Sequence, residues 1–181
     1  MMKTVMFLAD GFEECEALIV VDILRRAGIE VVMASIMGKL EVLSSRKITI
    51  MADALAEEVD YEGFDMIILP GGRRGKENLS KSDIVREKCL EFADKKYIAA
   101  ICASPTIFAE LGLLEGKKAT CHPDFSDKLP EGSYTDEHVT VSGNIIMGQA
   151  LGATFEFAFE IVRRLIGEEP VDKIKKAICY K

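Results

Sequence analysis

The sequence predicts an α/β chain: a mostly parallel sheet with helices on both faces and one small hairpin. Three observations carry this. Short apolar runs alternate with amphipathic stretches along the whole chain, the pattern of strand–helix–strand units. Several runs, such as "DMIILP" and "YIAAI", are apolar without alternation, as in strands covered on both faces. Glycine and proline punctuate the ends of these runs.

The elements follow in order. Residues 4–9 read as a buried strand and 14–27 as a helix, with Ala17, Val21 and Leu24 on one face, acids in its first turn and Gly28 as its stop. Residues 30–35 form the next strand, and 39–43 with 47–51 a polar-edged hairpin. Residues 65–70 are a strand ending at Gly71-Gly72. Residues 82–94 read as a helix capped by Ser82, 97–101 as a buried strand and 106–111 as a helix. Beyond Gly116 the pattern shortens. Residues 117–121 and 138–147 look like strands, 150–166 is a strongly apolar helix, and 171–178 is a last short one.

The chain has 181 residues, 49% hydrophobic and 29% charged, which fits one globular domain over 1–181. Its net charge of -7, with no basic cluster in the sequence, argues against a nucleic-acid partner. The run Val5–Ala9 stops at Asp10, too short for a signal-peptide core or a membrane span, and a cytoplasmic protein with no membrane partner is expected. Five cysteines in no paired spacing are expected to be reduced thiols. Two histidines and no CxxC pair leave no basis for a zinc site.

In such a sheet ligands bind outside the carboxyl ends of the strands. Three strands end in unusual sequence there: "ADGFEECEA", "LPGGRRG" and "ICASPT". Cys102 stands where the third strand stops and a helix begins. A thiol at the positive end of a helix is expected to have a lowered pKa, and the tight turn exposes N–H groups beside the sulfur, as in a nucleophile elbow. The alternative is a core cysteine at a strand end. Gly71-Gly72 lets the backbone approach a ligand and offers N–H groups to an oxyanion, or is a plain turn. Glu13 and Glu14 read as acids complementing a helix dipole. Glu16 lies deeper, beside Ala17 and Leu18, where a buried carboxylate near a thiolate would have a raised pKa. His122, in an extended turn before Pro123, is a better candidate base than His138 at a strand start, against the common outcome of a structural histidine.

The stretches "FLADGFEECEALIVVDILRRAGIEVVMAS", "DMIILPGG", "AAICASPT", "CHPDFSDKLP" and "ATFEFAFEIVRRLIG" resemble the ThiJ/PfpI superfamily, in the branch of the Parkinson-disease-linked protein known as protein deglycase or glyoxalase III. The resemblance runs from about Thr4 to about Ile178. It implies a flavodoxin-like three-layer sandwich, a homodimer, and a reactive cysteine at Cys102 with Glu16 as its partner and His122 as the histidine. The backbone donors it implies are Gly72 and Ala103. It implies no cofactor and no metal, and a small 2-oxoaldehyde substrate such as methylglyoxal converted to a 2-hydroxy acid. A cysteine-based oxidative-stress sensor or redox-regulated chaperone is the alternative. The peptidase branch has histidine directly after the cysteine, where this chain has Ala103. The family often has glycine where Ser104 stands, so its hydroxyl is expected to alter access to the thiol. Gln149 stands where the family has an arginine, which bears on phosphate or carboxylate preference at that loop. Cys15 and Cys121, adjoining Glu16 and His122, read either as core or strand cysteines or as resolving thiols for Cys102.

Overall fold

The computed structural model describes residues 1–181. The apolar runs pair into a seven-stranded sheet. In chain order the elements are strand β1 (Lys3–Leu8), helix α1 (Glu14–Arg26), β2 (Glu30–Ser35), β3 (Glu41–Leu43), β4 (Thr49–Met51), β5 (Ala54–Leu55) and β6 (Met66–Leu69). There follow α2 (Arg73–Lys81), α3 (Asp83–Lys95), β7 (Tyr97–Ile101), α4 (Pro105–Glu110), β8 (Val139–Ser142), β9 (Ile145–Gly148), α5 (Thr154–Ile166) and α6 (Glu168–Ala177). The sheet order is β5-β2-β1-β6-β7-β9-β8, parallel throughout except for β8, which pairs antiparallel with β9. Strands β3 and β4 form a separate antiparallel pair.

Alternate strand residues point to opposite faces, and here both faces are buried. Met6, Leu8, Met66, Ile68, Ala99 and Ile101 meet α1, α5 and α6, including Ala17, Leu24, Phe157 and Val171. Val5, Phe7, Ile67, Leu69, Ile98 and Ala100 face the other layer, with Cys89, Phe92, Ile107 and Phe108 from α3 and α4. This two-sided burial is why β1, β6 and β7 read as unbroken apolar runs.

The structure departs from the sequence reading in several places, among them the two-residue strand β5, which no pattern announces. Residues 117–121 form no strand: Ala119 makes only an isolated bridge to Tyr134, while its side chain and that of Cys121 fill the core. Helix α5 begins at Thr154, after a 3-10 turn at Leu151–Ala153 whose Leu151 carbonyl accepts from Thr154 Oγ1 at 2.7 Å. Ser82 precedes α3 but its side chain makes no cap bond. Helix α2 escapes periodicity because "RRGKENLSK" is almost all polar, with Leu79 its one buried large apolar side chain. Gly75 sits inside it because a Cβ there would lie 2.7 Å from the Phe12 Cα, so α2 packs directly on the loop after β1.

Candidate active site

The site is built where β1, β6 and β7 end side by side. Glu13 N–H donates to the Gly71 carbonyl at 2.9 Å, which ties the loop after β1 to the loop after β6. Gly72 has φ +91°, and a Cβ on it would lie 2.3 Å from the Gly11 carbonyl oxygen. Only glycine fits such a conformation and so close an approach. The β3–β4 hairpin is drawn in as well: Gly11 N–H donates to the Leu43 carbonyl at 2.7 Å, Leu43 N–H to Asp10 Oδ1 at 2.9 Å, and Ser45 N–H to the Phe12 carbonyl at 2.7 Å.

Cys102 directly follows β7 with φ +66°, a left-handed conformation rare for a residue with a side chain. Strain of this kind costs about 1–3 kcal/mol and is held by its surroundings. Here Cys102 N–H donates to the Gly148 carbonyl at 3.0 Å, and its own carbonyl accepts from His122 N–H at 2.8 Å. Ser104 is fully buried, and its Oγ donates to the Pro70 carbonyl at 2.6 Å. The hydroxyl therefore does not alter access to the thiol. It braces the turn after β7 against the end of β6.

Glu16 projects from the first turn of α1 and is 1% exposed. Its Oε2 is buried with no hydrogen-bond partner, an arrangement that favours keeping a proton on the carboxyl. A Cβ on Gly71 would lie 2.2 Å from that oxygen and 2.5 Å from Cys102 Cβ, so Gly71 is the space in which carboxyl and thiol meet. Burial raises the Glu16 carboxyl most; the Cys102 thiol and the Gly71 N–H pull it down, the Glu13 charge adds to the rise, and it titrates at about 7. The other acids have separate tasks. Glu13 caps α1, its Oε2 accepting from Glu16 N–H at 2.7 Å. Glu14 accepts from Ser45 Oγ at 3.0 Å, joining α1 to the hairpin loop.

The expected lowering of the Cys102 thiol pKa is overturned. Burial pushes it up, the Glu16 charge and hydrogen bond add to the rise, and the thiol reaches about 12 although the N–H groups of Gly72 and Ala103 pull it down. Helix α4 has only six residues, and the half-buried sulfur loses more hydration than those two donors return. The Glu16 contribution holds only while that carboxyl is charged, so thiol and carboxyl titrate as a pair.

His122 is brought beside Cys102 through its backbone. Its Nδ1 accepts from Asp124 N–H at 3.2 Å, which leaves the ring proton on Nε2, and the ring is edge-on to Phe125. The imidazole makes no hydrogen bond to Cys102 or Glu16. Gln149 is held elsewhere, its Nε2 donating to Asp136 Oδ1 at 2.7 Å. Cys121 is fully buried and pushed up to about 12 by burial and the Asp127 charge, which favours the core reading over a resolving thiol; Cys15 is exposed.

Above the sulfur lies a cleft of about 510 Å³ lined by Cys102, Gly72 and charged residues of the hairpin and α2, among them Arg46, Arg73 and Arg74. Sequence reasoning missed these arginines. The doublet in "LPGGRRG" was the available signal, but its meaning depends on α2, which periodicity does not show.

Comparison with known proteins places this fold in a family. A family model described as "DJ-1/PfpI family" matches residues 2–164. The chain belongs to the DJ-1/PfpI family. It is 39% identical over 184 residues to Parkinson disease protein 7 homolog of Danio rerio, covering 99% of this chain and 97% of that protein. It is 40% identical over 172 residues to Protein DJ-1 homolog B of Arabidopsis thaliana, covering 94% of this chain but only 39% of that longer protein. The Glutathione-independent glyoxalase DJR-1.2 of Caenorhabditis elegans is 32% identical over 170 residues, covering 92% of this chain and 90% of that protein. Among solved structures, oxidized Toxoplasma gondii DJ-1 superposes with a TM-score of 0.96 at 35% identity, covering 99% of each chain. The family's mostly parallel α/β sandwich is the fold described above. No helix is long and apolar enough to cross a membrane.

Proposed function

We propose that this member of the DJ-1/PfpI family is a cofactor-independent enzyme that converts small 2-oxoaldehydes to 2-hydroxy acids through Cys102. One observation carries the reading: a buried Glu16 carboxyl titrating at about 7 and the N–H groups of Gly72 and Ala103 converge on the Cys102 thiol, which lines one cleft. A glyoxalase among the relatives supports it.

The chemistry needs only these groups and water. As the sulfur attacks the aldehyde carbon, Glu16 takes the thiol proton, so the high thiol pKa is met by a base in contact with it. The aldehyde oxygen becomes an oxyanion held by the two N–H groups. Glu16 then returns its proton to that oxygen, giving the hemithioacetal. It next removes the hydrogen from the former aldehyde carbon and delivers it to the neighbouring carbon through an enediol. The former aldehyde carbon is now a thioester, oxidised at the expense of the neighbouring ketone. Water cleaves the thioester, giving the 2-hydroxy acid and the free thiol. His122, whose backbone N–H donates to the Cys102 carbonyl, is the second candidate for this proton work.

The test is lactate formed per active site from methylglyoxal. Cys102→Ser abolishes turnover, and Glu16→Gln lowers it roughly a hundredfold. Turnover no greater than one per site in the wild type would replace this reading by the second one, a thiol that serves as an oxidation sensor. That reading is favoured by the same paired geometry, since a protonated Glu16 would hold an oxidised sulfur, and by the solution of a related protein in oxidized form.

A further inference from the structure

The cleft above Cys102 carries an uneven set of charges. Its lining includes four cations: Arg46 and Lys47 from the hairpin loop, and Arg73 and Arg74 from the first turn of α2. All four are exposed. The lining also holds two acids, Asp10 and Glu13. Both acids are already engaged by the backbone, Asp10 Oδ1 with Leu43 N–H at 2.9 Å and Glu13 Oε2 with Glu16 N–H at 2.7 Å. The four cations take part in none of the ion pairs of the molecule, whereas Arg25, Arg26, Arg163 and Arg164 each hold a carboxylate. Arg73 instead lies over the Phe125 ring at 5.1 Å, which fixes its guanidinium at the cleft rim. In a chain of net charge -7, four free cations around one opening are a local reversal of sign.

Exposed arginines are commonly just solvated, and one alone would mean little. Here two separate elements, the β3–β4 hairpin and α2, bring cations to the mouth of the cleft whose floor holds the Cys102 sulfur. The hairpin is bound in place by the Gly11–Leu43 and Ser45–Phe12 hydrogen bonds, and α2 by the close contact of Gly75 with Phe12. The cations are therefore held on a fixed frame, and a field focused in a cleft draws anions toward its floor. Arginine also offers paired donors that suit an oxoanion.

We propose that the preferred substrate of this cleft is a 2-oxoaldehyde that also carries an oxoanion, a carboxylate or a phosphate, at the end away from the aldehyde. Arg73 and Arg74, with Arg46 and Lys47, hold that group while the aldehyde reaches Cys102. The aldehyde step rests on the reading given under Proposed function; the anion site does not. The reaction is the same as for methylglyoxal: water is added, the aldehyde carbon is oxidised to the carboxylic acid and the ketone carbon is reduced to the alcohol, with no outside oxidant or reductant.

The test compares wild type with the double variant Arg73→Gln/Arg74→Gln. The first measurement is kcat/KM for 4,5-dioxopentanoate, a 2-oxoaldehyde bearing a carboxylate, relative to that for neutral methylglyoxal. The expected result is a ratio about tenfold lower in the variant, the effect of removing two nearby charges from a solvated site. An unchanged ratio overturns the proposal while leaving the glyoxalase reading intact. The second measurement needs no turnover: the rate of Cys102 alkylation by iodoacetate relative to neutral iodoacetamide. A fall in this ratio in the variant supports the anion site even if neither aldehyde is consumed, in which case the glyoxalase reading alone fails. If Cys102 reacts with neither reagent, the melting temperature with added inorganic phosphate decides. A rise in wild type that is lost in the variant supports the site, and equal shifts overturn it.

Discussion

Replacing Glu16 with glutamine should remove a pH-dependent part of the folding stability. In the unfolded chain this carboxyl titrates near 4.5, and in the folded protein at about 7. Between those values the folded state holds a proton that the unfolded state has released. Glu16 therefore contributes stability that is complete below pH 4.5 and is lost as pH rises through about 7. The gap amounts to about 3 kcal/mol in full, and about 2.5 kcal/mol of it falls between pH 5 and pH 8. The result does not depend on which atom gives up the proton. If Glu16 keeps it and Cys102 becomes the thiolate, the pair still loses its first proton in the same range, and linkage counts protons per molecule. Glutamine has nothing to release in either state. The stability of wild type relative to Glu16→Gln should thus fall by about 2.5 kcal/mol from pH 5 to pH 8. Denaturant unfolding at several pH values measures it, read by circular dichroism because the chain has no tryptophan, and at one protein concentration in case subunits dissociate. Thiolate absorbance near 240 nm (a band the thiol lacks) then reports where the charge sits. Parallel stability curves for the two proteins from pH 5 to pH 8 would refute the reasoning, because the buried carboxyl would then carry no raised pKa.

Other substitutions probe the rest of the site. Cys102 should be the first thiol alkylated by iodoacetamide once pH passes the titration of the Glu16 pair, because a base lies against it; peptide mapping that finds Cys15 or Cys179 alkylated alone would count against the elbow. Gly71→Ala should lower Cys102 alkylation and turnover at least tenfold, because the added carbon lies 2.2 Å from Glu16 Oε2 and must drive carboxyl and thiol apart. Ser104→Ala leaves the buried Pro70 carbonyl without its 2.6 Å donor and should cost about 1–3 kcal/mol in denaturant unfolding, with Ser104→Thr no substitute in so tight a place. Sedimentation at micromolar concentration should show a homodimer; a single 20.0 kDa species would remove that expectation.

Much of the frame was legible because it depends on neighbours in sequence. Strands β1, β6 and β7 announce themselves by apolar runs, since both faces of a parallel sheet are covered and every position along the strand must be apolar. The same locality exposed the elbow: a buried strand running into Cys102, two small residues and Pro105 leaves little choice but a sharp turn into a helix. Glu16 could be separated from Glu13 and Glu14 by its place further into the first turn of α1, beside apolar residues. Helix α2 and strand β5 were not legible, one because its polar sequence has no stripe and the other because two residues carry no period.

What the tertiary structure alone decided is the character of the groups that the sequence named. The sequence placed a thiol at a helix start and so pointed to a lowered pKa; the fold buries that thiol against a carboxyl, and loss of hydration outweighs two backbone donors. Ser104 looked like a change in access and became a brace, because its partner, Pro70, is 34 residues away in sequence. Arg46 and Arg73 are separated by three strands and share a cleft only because the hairpin folds back onto the loop after β1. Periodicity and turn chemistry are properties of short segments, so a sequence reveals them directly. Burial, and the identity of the charge that stands opposite, belong to pairs of segments, and only the folded chain brings those together.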